Sequence, residues 1–388
     1  KVRNESLAEM ISPPVSTRFV LALLAVMLAS TTVVSQEPEP SAAFRRLDTN
    51  KDRQLTPDEV RNRRLFAIID TNRDGLISIA EDRAFTSRDS AQQAAGRLPG
   101  SVRLVVDVPY ADNENPRQTL DLLLPRKNIP GHKPPLIVYI HGGAWRQGDK
   151  SSGRHYLASF VEDGRYAAAT LGYRLSSEAT WPAQIHDCKA AIRWLRAHAD
   201  KYGFDPDRIG VMGHSAGGHL AIMLGVTNRV RDLEGKLGGH NDASSKVLCV
   251  VDFYGPTELL VMDDYPGQMV HNDSDSPESQ LVGGPLQERK SAAVSASPVT
   301  HVTKHAAPVL MVHGSRDRLV PFNQSVRLLA AFHSARVPAI LVEIQEGGHG
   351  GFRSREVDRR VMGFFSRHLL GLKADVPATP IRLTPQKK

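Results

Sequence analysis

Residues 208 to 224 read RIGVMGHSAGGHLAIML. The short apolar run from Ile209 to Met212 has the character of a buried strand, and the stretch from Ala216 onward that of a helix. Between them, Gly213-His214-Ser215-Ala216-Gly217 fits a sharp strand-to-helix turn. The flanking glycines allow the chain to double back, and the turn lifts the serine oxygen above the sheet. With 30 glycines in 388 residues, chance places a G-x-S-x-G pattern in about one such chain in six. The turn must therefore be judged by its partners.

Outward from this turn, apolar runs recur: RLVVDV, LDLLL, PLIVYIHGG, YAAATLGYR, VLCVVDFYG, PVLMVHGS and AILVEIQEGGH. Amphipathic stretches intervene, such as PAQIHDCKAAIRWLRAHADKYG, QSVRLLAAFHSA and REVDRRVMGFFSRHL. Short buried strands alternating with helices predict a mostly parallel sheet flanked by helices, an α/β fold. Ligands of such sheets sit outside the carboxyl ends of the strands, so the residues just past each run carry the chemistry.

A serine hydroxyl needs an imidazole to take its proton, and that imidazole needs a carboxylate to fix its tautomer. Asp317 follows the run PVLMVHGS, and His349 follows AILVEIQ within EGGHGG. The chain order is Ser215, Asp317, His349. Of 15 histidines, His349 is singled out by its place after the last long run. His141 and His214 flank the turns of the site and read as structural. Glu346 is the rival acid, but it lies on the histidine's own turn, which favours Asp317. A tetrahedral intermediate also needs donors for its oxyanion. Gly142 and Gly143 in HGGAW, with the N–H of Ala216, are the candidates. Trp145, Tyr173 and Tyr254 also follow strands and are expected to line the substrate pocket. Met262 to Lys290 reads as a surface excursion near the site, a partial lid. Bulky Trp145 and the lack of a long apolar lid predict a preference for short acyl esters.

Residues from about 103 to 371 therefore resemble an α/β-hydrolase of the esterase/lipase type, similar to hormone-sensitive-lipase-like and feruloyl or acetyl esterases. The motifs that carry the resemblance are HGGAW, YRLS, GHSAGGHLA, DFYGP, HGSRDRLVP and EGGHG. The lipase-like branch has a third glycine where this chain has Ala144. The resemblance implies a serine carboxylesterase acting through an acyl-enzyme, with no organic cofactor, on small-molecule or polysaccharide esters. A prolyl-oligopeptidase-like serine peptidase shares some of these patterns, but no propeller repeats precede the domain. An inert, calcium-dependent docking module is the alternative outside enzymes; the complete triad speaks against it.

Ahead of this region the chain repeats itself at an offset of 22, pairing FRRLDTNKDRQLTPDE (44–59) with FAIIDTNRDGLISIAE (66–81). Oxygen donors recur at the spacing with which a loop wraps calcium, a hard cation taking roughly six to eight oxygens. The first loop offers Asp48, Asn50, Asp52, Gln54, Thr56 and Glu59; the second offers Asp70, Asn72, Asp74, Leu76, Ser78 and Glu81. Gln54 and Leu76 contribute their carbonyls, and Leu55 and Ile77 are placed to pair the loops through a short bridge. Thr56 with Glu59, and Ser78 with Glu81, also form capping boxes that start an exit helix. Residues 41 to 85 thus resemble a pair of EF-hands, a small all-α domain with structurally bound calcium. Arg53 replaces the glycine at the turn of the first loop, so the second loop is the stronger site. One helix, about Pro57 to Ile69, is expected to serve both loops.

At the N-terminus, Arg18 precedes a strictly apolar stretch from Phe19 to Ala29, with small residues Val33 and Ser35 before Gln36. That run is short of the roughly 20 residues of a bilayer span and suits a secretory signal. Residues 1 to 35 are read as a cleaved signal peptide, giving a secreted or periplasmic protein without stable membrane insertion; an uncleaved anchor is the rival. Residues 86 to 102 read as a linker and 372 to 388 as a disordered tail. Cys188 and Cys249 both fall in core patterns, although export would permit a bridge between them. The composition, 41% hydrophobic and 23% charged, is that of an ordinary globular protein. The formal charge of +7 is scattered and accompanied by no nucleic-acid motif, so no nucleic-acid partner is expected.

Overall fold

Runs such as LIVYI and CVVDF are apolar throughout, so they need cover on both faces and belong in the middle of a sheet. The computed structural model describes residues 40–60, 63–70, 72, 74–83, 98–127, 129–265, 267–352 and 354–383. The segment read as a signal peptide and most of the linker lie outside the described residues. The chain divides into two compact units, Lys1–Ser87 and Arg88–Lys388.

The larger unit is built on a nine-stranded sheet in the order β11-β10-β9-β8-β7-β5-β6-β4-β3. The strands are β3 (Val102–Pro109), β4 (Thr119–Pro125), β5 (Leu136–Ile140), β6 (Ala167–Leu171), β7 (Ile209–His214), β8 (Cys249–Phe253), β9 (Val309–Gly314), β10 (Ala339–Gln345) and β11 (Ile381–Arg382). β4 runs antiparallel to both β3 and β6, and every other pairing is parallel. One face is covered by helices Ala183–Ala197, Ala216–Val226 and Asn323–Ser334 through Ile185, Leu195, Leu220, Leu224, Leu328 and Phe332. The other is covered by Arg154–Val161 and Arg355–Leu369 through Leu157, Phe160, Val361, Phe364 and Phe365. This is the mostly parallel sheet flanked by helices that the sequence predicts. Cys188 lies in one of these cores and Cys249 in the other, and both are free thiols, so the alternative of a bridge falls.

The C-terminal stretch corrects the expectation of a disordered tail over 372–388. Residues 372–383 run back along the domain and add β11 to the sheet edge, with Ile344 opposite Ile381. Val376 and Ile381 are buried, and the Arg360 guanidinium donates to the carbonyls of Pro377 and Thr379 at 2.9 and 2.6 Å. At the other end, Leu98 packs in the same core as Val102, so the domain starts a few residues before 103.

In the smaller unit, helices Ala42–Leu47 and Arg63–Ile69 and the two-residue strands β1 (Gln54–Leu55) and β2 (Ile77–Ser78) enclose Phe44, Leu55, Val60, Phe66, Ile69, Ile77 and Ile79. Leu55 pairs with Ile77 across an antiparallel bridge, and residues 79–83 are helical. Residues 57–59 form a turn, so the helix described between the loops, Arg63–Ile69, does not reach back to the expected start at Pro57. Among the described residues no helix is long and apolar enough to cross a membrane.

Candidate active site

β7 ends at His214, and the helix Ala216–Val226 starts two residues later. Ser215 holds the turn between them at φ 54°, ψ −123°, a strained backbone that persists only where its surroundings enforce it. The turn is tight enough that a Cβ on Gly213 would lie 2.2 Å from the Gly217 carbonyl oxygen, and one on Gly217 would lie 2.1 Å from that of Ile140. Both flanking glycines are therefore steric requirements. The Ser215 N–H donates to the Phe253 carbonyl at 2.8 Å, which anchors the turn on β8.

His349 stands past β10 and Asp317 past β9, and the sheet brings both to Ser215. His349 Nε2 lies 3.0 Å from Ser215 Oγ, and its Nδ1 lies 2.7 Å from Asp317 Oδ2. Asp317 Oδ1 accepts from the backbone N–H groups of Leu319 and Val320, each at 2.9 Å, and His313 Nε2 lies 3.3 Å from Oδ2. Burial alone would raise this carboxyl, but the hydrogen bonds from His313 and His349 outweigh it and hold it well below the usual carboxylate range. Glu346, the rival acid, instead pairs with exposed Arg316 at 2.5 Å.

The turn after β5 carries the expected oxyanion donors. Gly143 has φ +115°, and Ala144 and Trp145 both have φ +55°, so three consecutive residues lie in the left-handed region. Ala216 opens its helix, where the first N–H groups have no intrahelical acceptor. A Cβ on Gly142 would lie 2.6 Å from the His214 carbonyl oxygen and 3.4 Å from Ser215 Cβ, so this turn packs directly against the serine turn. His141 is buried beneath; burial drives its pKa down to about 4, and its ring stacks on Tyr173 at 4.3 Å.

The three expected pocket aromatics separate. Trp145 and Tyr173 are core residues, 1% and 0% exposed. Trp145 points its indole N–H at His219, and Tyr173 donates its hydroxyl to the His141 carbonyl at 3.0 Å. An aromatic at a strand end can turn either way, and these two turn inward beneath the oxyanion turn. Trp145 therefore does not narrow the site, and the expectation of short acyl groups loses its main support. Tyr254 packs edge-on against His349 with ring centroids 4.6 Å apart. It also lines a cavity of about 1020 Å³ with Tyr139, Tyr156, His214, Phe253 and Phe352. The excursion Met262 to Lys290 is packed rather than loose: Met262, His271, Glu278 and Leu281 are buried. Arg146 beside the oxyanion turn donates to the Asp275 carbonyl at 3.2 Å.

Asp252 on β8 is one residue the sequence did not mark. It is buried, its Oδ1 accepts the Gly255 N–H at 2.9 Å, and its Oδ2 has no hydrogen-bond partner. Burial raises this carboxyl to about 7. Between an unfolded value near 4 and that folded value, the native state holds one more proton than the unfolded chain. Stability is thus fully present below about pH 4, falls as pH rises, and levels off above about pH 7. The loss is on the order of a few kcal/mol, at ~1.4 kcal/mol per pH unit. Asp252→Asn should flatten this slope, so that it melts above wild type at pH 8 and near it at pH 4. Parallel melting curves across that range would refute the assignment.

A serine, an imidazole and a carboxylate hydrogen-bonded in series at the carboxyl edge of this sheet define the chain as an α/β-hydrolase. The chain belongs to the BD-FAE family, whose model matches residues 120–332. It is 32% identical over 246 residues to esterase LipC of Mycobacterium tuberculosis, covering 63% of this chain and 59% of that protein. With the probable carboxylic ester hydrolase LipM of the same organism it shares 34% identity over 191 residues, 49% of this chain and 43% of the relative. This chain thus spans about half the length of these relatives. Among solved structures, a truncated form of a carbohydrate esterase from gut microbiota is 32% identical with a TM-score of 0.66, over 71% of this chain and 100% of that one.

The two loops of the smaller unit hold the same hydrogen bonds at the offset of 22. Asp48 Oδ2 accepts from the N–H of Arg53, and Asp70 Oδ2 from that of Gly75, both at 3.1 Å. Asn50 and Asn72 accept from Asp52 and Asp74. Glu59 and Glu81 accept from the backbone N–H of Thr56 and Ser78, each at 3.0 Å. Arg53 takes the left-handed turn at φ 67° where Gly75 has φ 84°. Asp48 Oδ1 and Asp70 Oδ1 are left buried without a hydrogen-bond partner. Among the described residues no three carboxylate, imidazole or thiol side chains converge as a metal cluster.

Proposed function

We propose that this protein is an exported serine carboxylesterase that hydrolyses small acyl or carbohydrate esters, with calcium held structurally by its N-terminal loops. The observation that carries the enzymatic reading is the hydrogen-bonded series Ser215–His349–Asp317, and the esterase names of the relatives agree with it. Ser215 Oγ attacks the ester carbonyl while His349 Nε2 takes its proton. The charge that develops on the carbonyl oxygen faces the N–H groups of Gly142, Gly143 and Ala216. Collapse expels the alcohol, which leaves with the proton from His349, and water then repeats the sequence on the acyl-enzyme. Asp317 keeps Nδ1 protonated and so leaves Nε2 free to accept. Hydrolysis of nitrophenyl acetate, with a fluorophosphonate attaching at Ser215, tests this reading. Absence of both reactions in the folded protein would refute it. A panel of acetylated xylan, feruloyl sugars and graded acyl chains then resolves the ester class.

Export rests on Arg18 and the apolar stretch Phe19 to Ala29, and a secreted product whose N-terminus is Gln36 is the expected outcome. The calcium reading rests on the duplicated donor spacing and on the orphaned oxygens Asp48 Oδ1 and Asp70 Oδ1. A buried carboxylate oxygen without a partner is costly unless a cation or donor satisfies it. Bound calcium would supply that charge. A ligand held only by the folded module stabilises it by roughly 2.7 kcal/mol at a hundredfold excess over its dissociation constant. Chelation should therefore lower the melting temperature of the module by several degrees, and Glu81→Gln should do the same. Turnover on a small ester should stay within about twofold, under half a kcal/mol in barrier. A tenfold loss on chelation, restored by calcium, would make the module a regulator instead.

A further inference from the structure

The oxyanion turn is strained, and something must hold it. Gly143, Ala144 and Trp145 all lie in the left-handed region, where a non-glycine residue persists only if its surroundings over-determine it. The Ser176 N–H donates to the Trp145 carbonyl at 2.8 Å, and the Arg146 and Gln147 N–H groups donate to the Gly143 carbonyl, each at 3.0 Å. The Trp145 indole adds a side-chain tie to the nucleophile helix. Trp145 Nε1 donates to His219 Nδ1 at 3.2 Å, with the rings edge to face at 5.1 Å. His219 Nε2 lies 2.7 Å from the Ala296 carbonyl. A carbonyl only accepts, so Nε2 carries the proton, and Nδ1 presents the lone pair that the indole requires. A single tautomer satisfies both contacts. Burial keeps the ring neutral by lowering its pKa to about 4, and the Ala296 contact opposes that only in part.

His219 is placed where this contact bears on the nucleophile. It lies one turn past Ser215 on the nucleophile helix, and its backbone N–H donates to the Ser215 carbonyl at 3.0 Å. The indole thus ties the oxyanion turn to the same helix that presents Ser215 and the Ala216 N–H. On its far side, Ala296 belongs to the excursion between β8 and β9, where Trp181 lies 5.8 Å from the imidazole and donates to Ser295 Oγ at 3.0 Å.

We infer that His219 is a positioning residue for the oxyanion hole: through the Trp145 indole it fixes the distance between the Gly142–Gly143 donors and Ser215. The inference rests on the serine-esterase reading above. His219 touches no reacting atom, so its loss displaces the donors without removing them. Loss of a donor outright costs about 10²–10³ in kcat, and a misplacement of about 1 Å up to about 10². Trp145→Phe, which deletes the N–H together with part of the buried ring, should lower kcat/KM by about ten- to a hundredfold, mostly in kcat. His219→Leu should match it, and the double variant should be no worse than either single one. His219→Gln, with an oxygen for the indole and an amide for Ala296, should recover activity to within about threefold of wild type.

The decisive readout is the inhibition constant of a trifluoromethyl ketone, whose adduct on the serine carries an oxyanion. That constant should rise in proportion to the loss of kcat/KM across the series, whereas KM stays within about threefold. A merely structural role would lower the melting temperature and the active fraction without that proportionality. Folded Trp145→Phe within threefold of wild type, or reduced turnover with unchanged ketone affinity, overturns the inference. Should His219→Leu fail to fold, Trp145→Phe and His219→Gln carry the test. Failure of the underlying reading looks different: ester hydrolysis is absent in wild type or persists in Ser215→Ala.

Discussion

Ser215→Ala is expected to abolish ester hydrolysis while leaving the fold intact, and His349→Ala to do the same. Ser215 Oγ is the sole atom removed, and its hydrogen-bond partner is His349 Nε2 at 3.0 Å. The strained turn and its anchor on the Phe253 carbonyl are made by backbone and survive the change. In a comparable serine hydrolase, loss of either group costs about 10⁶ in kcat. The residue of about 10³–10⁴ over water comes from binding and the oxyanion hole. The two losses should not add, since serine and imidazole act in one proton transfer; the double variant should resemble either single one. Turnover of nitrophenyl acetate by folded Ser215→Ala near the wild-type rate would end the mechanism. The melting temperature of both variants should stay close to wild type.

The triad was legible because a parallel sheet exposes its chemistry at predictable places. Ser215, Asp317 and His349 each follow an apolar run that becomes β7, β9 or β10, and a polar residue there has few other uses. The repeat in the smaller unit was legible for a similar reason. Period and polarity coincide at the offset of 22, and the pairing of Leu55 with Ile77 follows from their shared place in the two loops. What failed depended on direction or on distant partners. Trp145 and Tyr173 follow strands as Tyr254 does, yet two turn into the core and one toward His349, and sequence order carries no sign of which. β11 is two residues long and is held by pairing with β10 and by Arg360, on the helix that ends at Leu369, binding the stretch ahead of it, so no local pattern announced it. His219 reads as an ordinary packed histidine until Trp145 is brought beneath it. The one sequence hint was that both sit inside the motifs HGGAW and GHSAGGHLA. Asp252 lies within a buried strand run, where an acid is the odd residue, and that oddity was the missed signal.

Asp317→Asn is expected to lower kcat by about 10⁴ with little change in KM, through the tautomer of His349 and with no change in its position. Asp317 Oδ1 accepts two backbone N–H groups, from Leu319 and Val320, and an amide nitrogen cannot replace it there. The asparagine must put its carbonyl oxygen on those donors and its NH₂ where Oδ2 stood, 2.7 Å from His349 Nδ1. Facing a donor, the imidazole presents the Nδ1 lone pair and carries its proton on Nε2. It then donates toward Ser215 Oγ at the step where it must accept. A loss of that order follows the same substitution in a serine protease, where geometry is kept and the tautomer is wrong. His313 Nε2, 3.3 Å from Oδ2, would also meet the new NH₂, but its 3.0 Å contact to the Val320 carbonyl keeps its ring in place. Asp317→Glu keeps the charge and lengthens the reach, so it should lose less than Asp317→Asn. The checks are kcat and KM on a nitrophenyl ester together with the ¹⁵N shifts of His349, which report the protonated nitrogen directly. An Asp317→Asn variant within tenfold of wild type, or one whose His349 keeps the Nδ1–H tautomer, would mean that the carboxylate holds the loop and leaves the catalytic base alone.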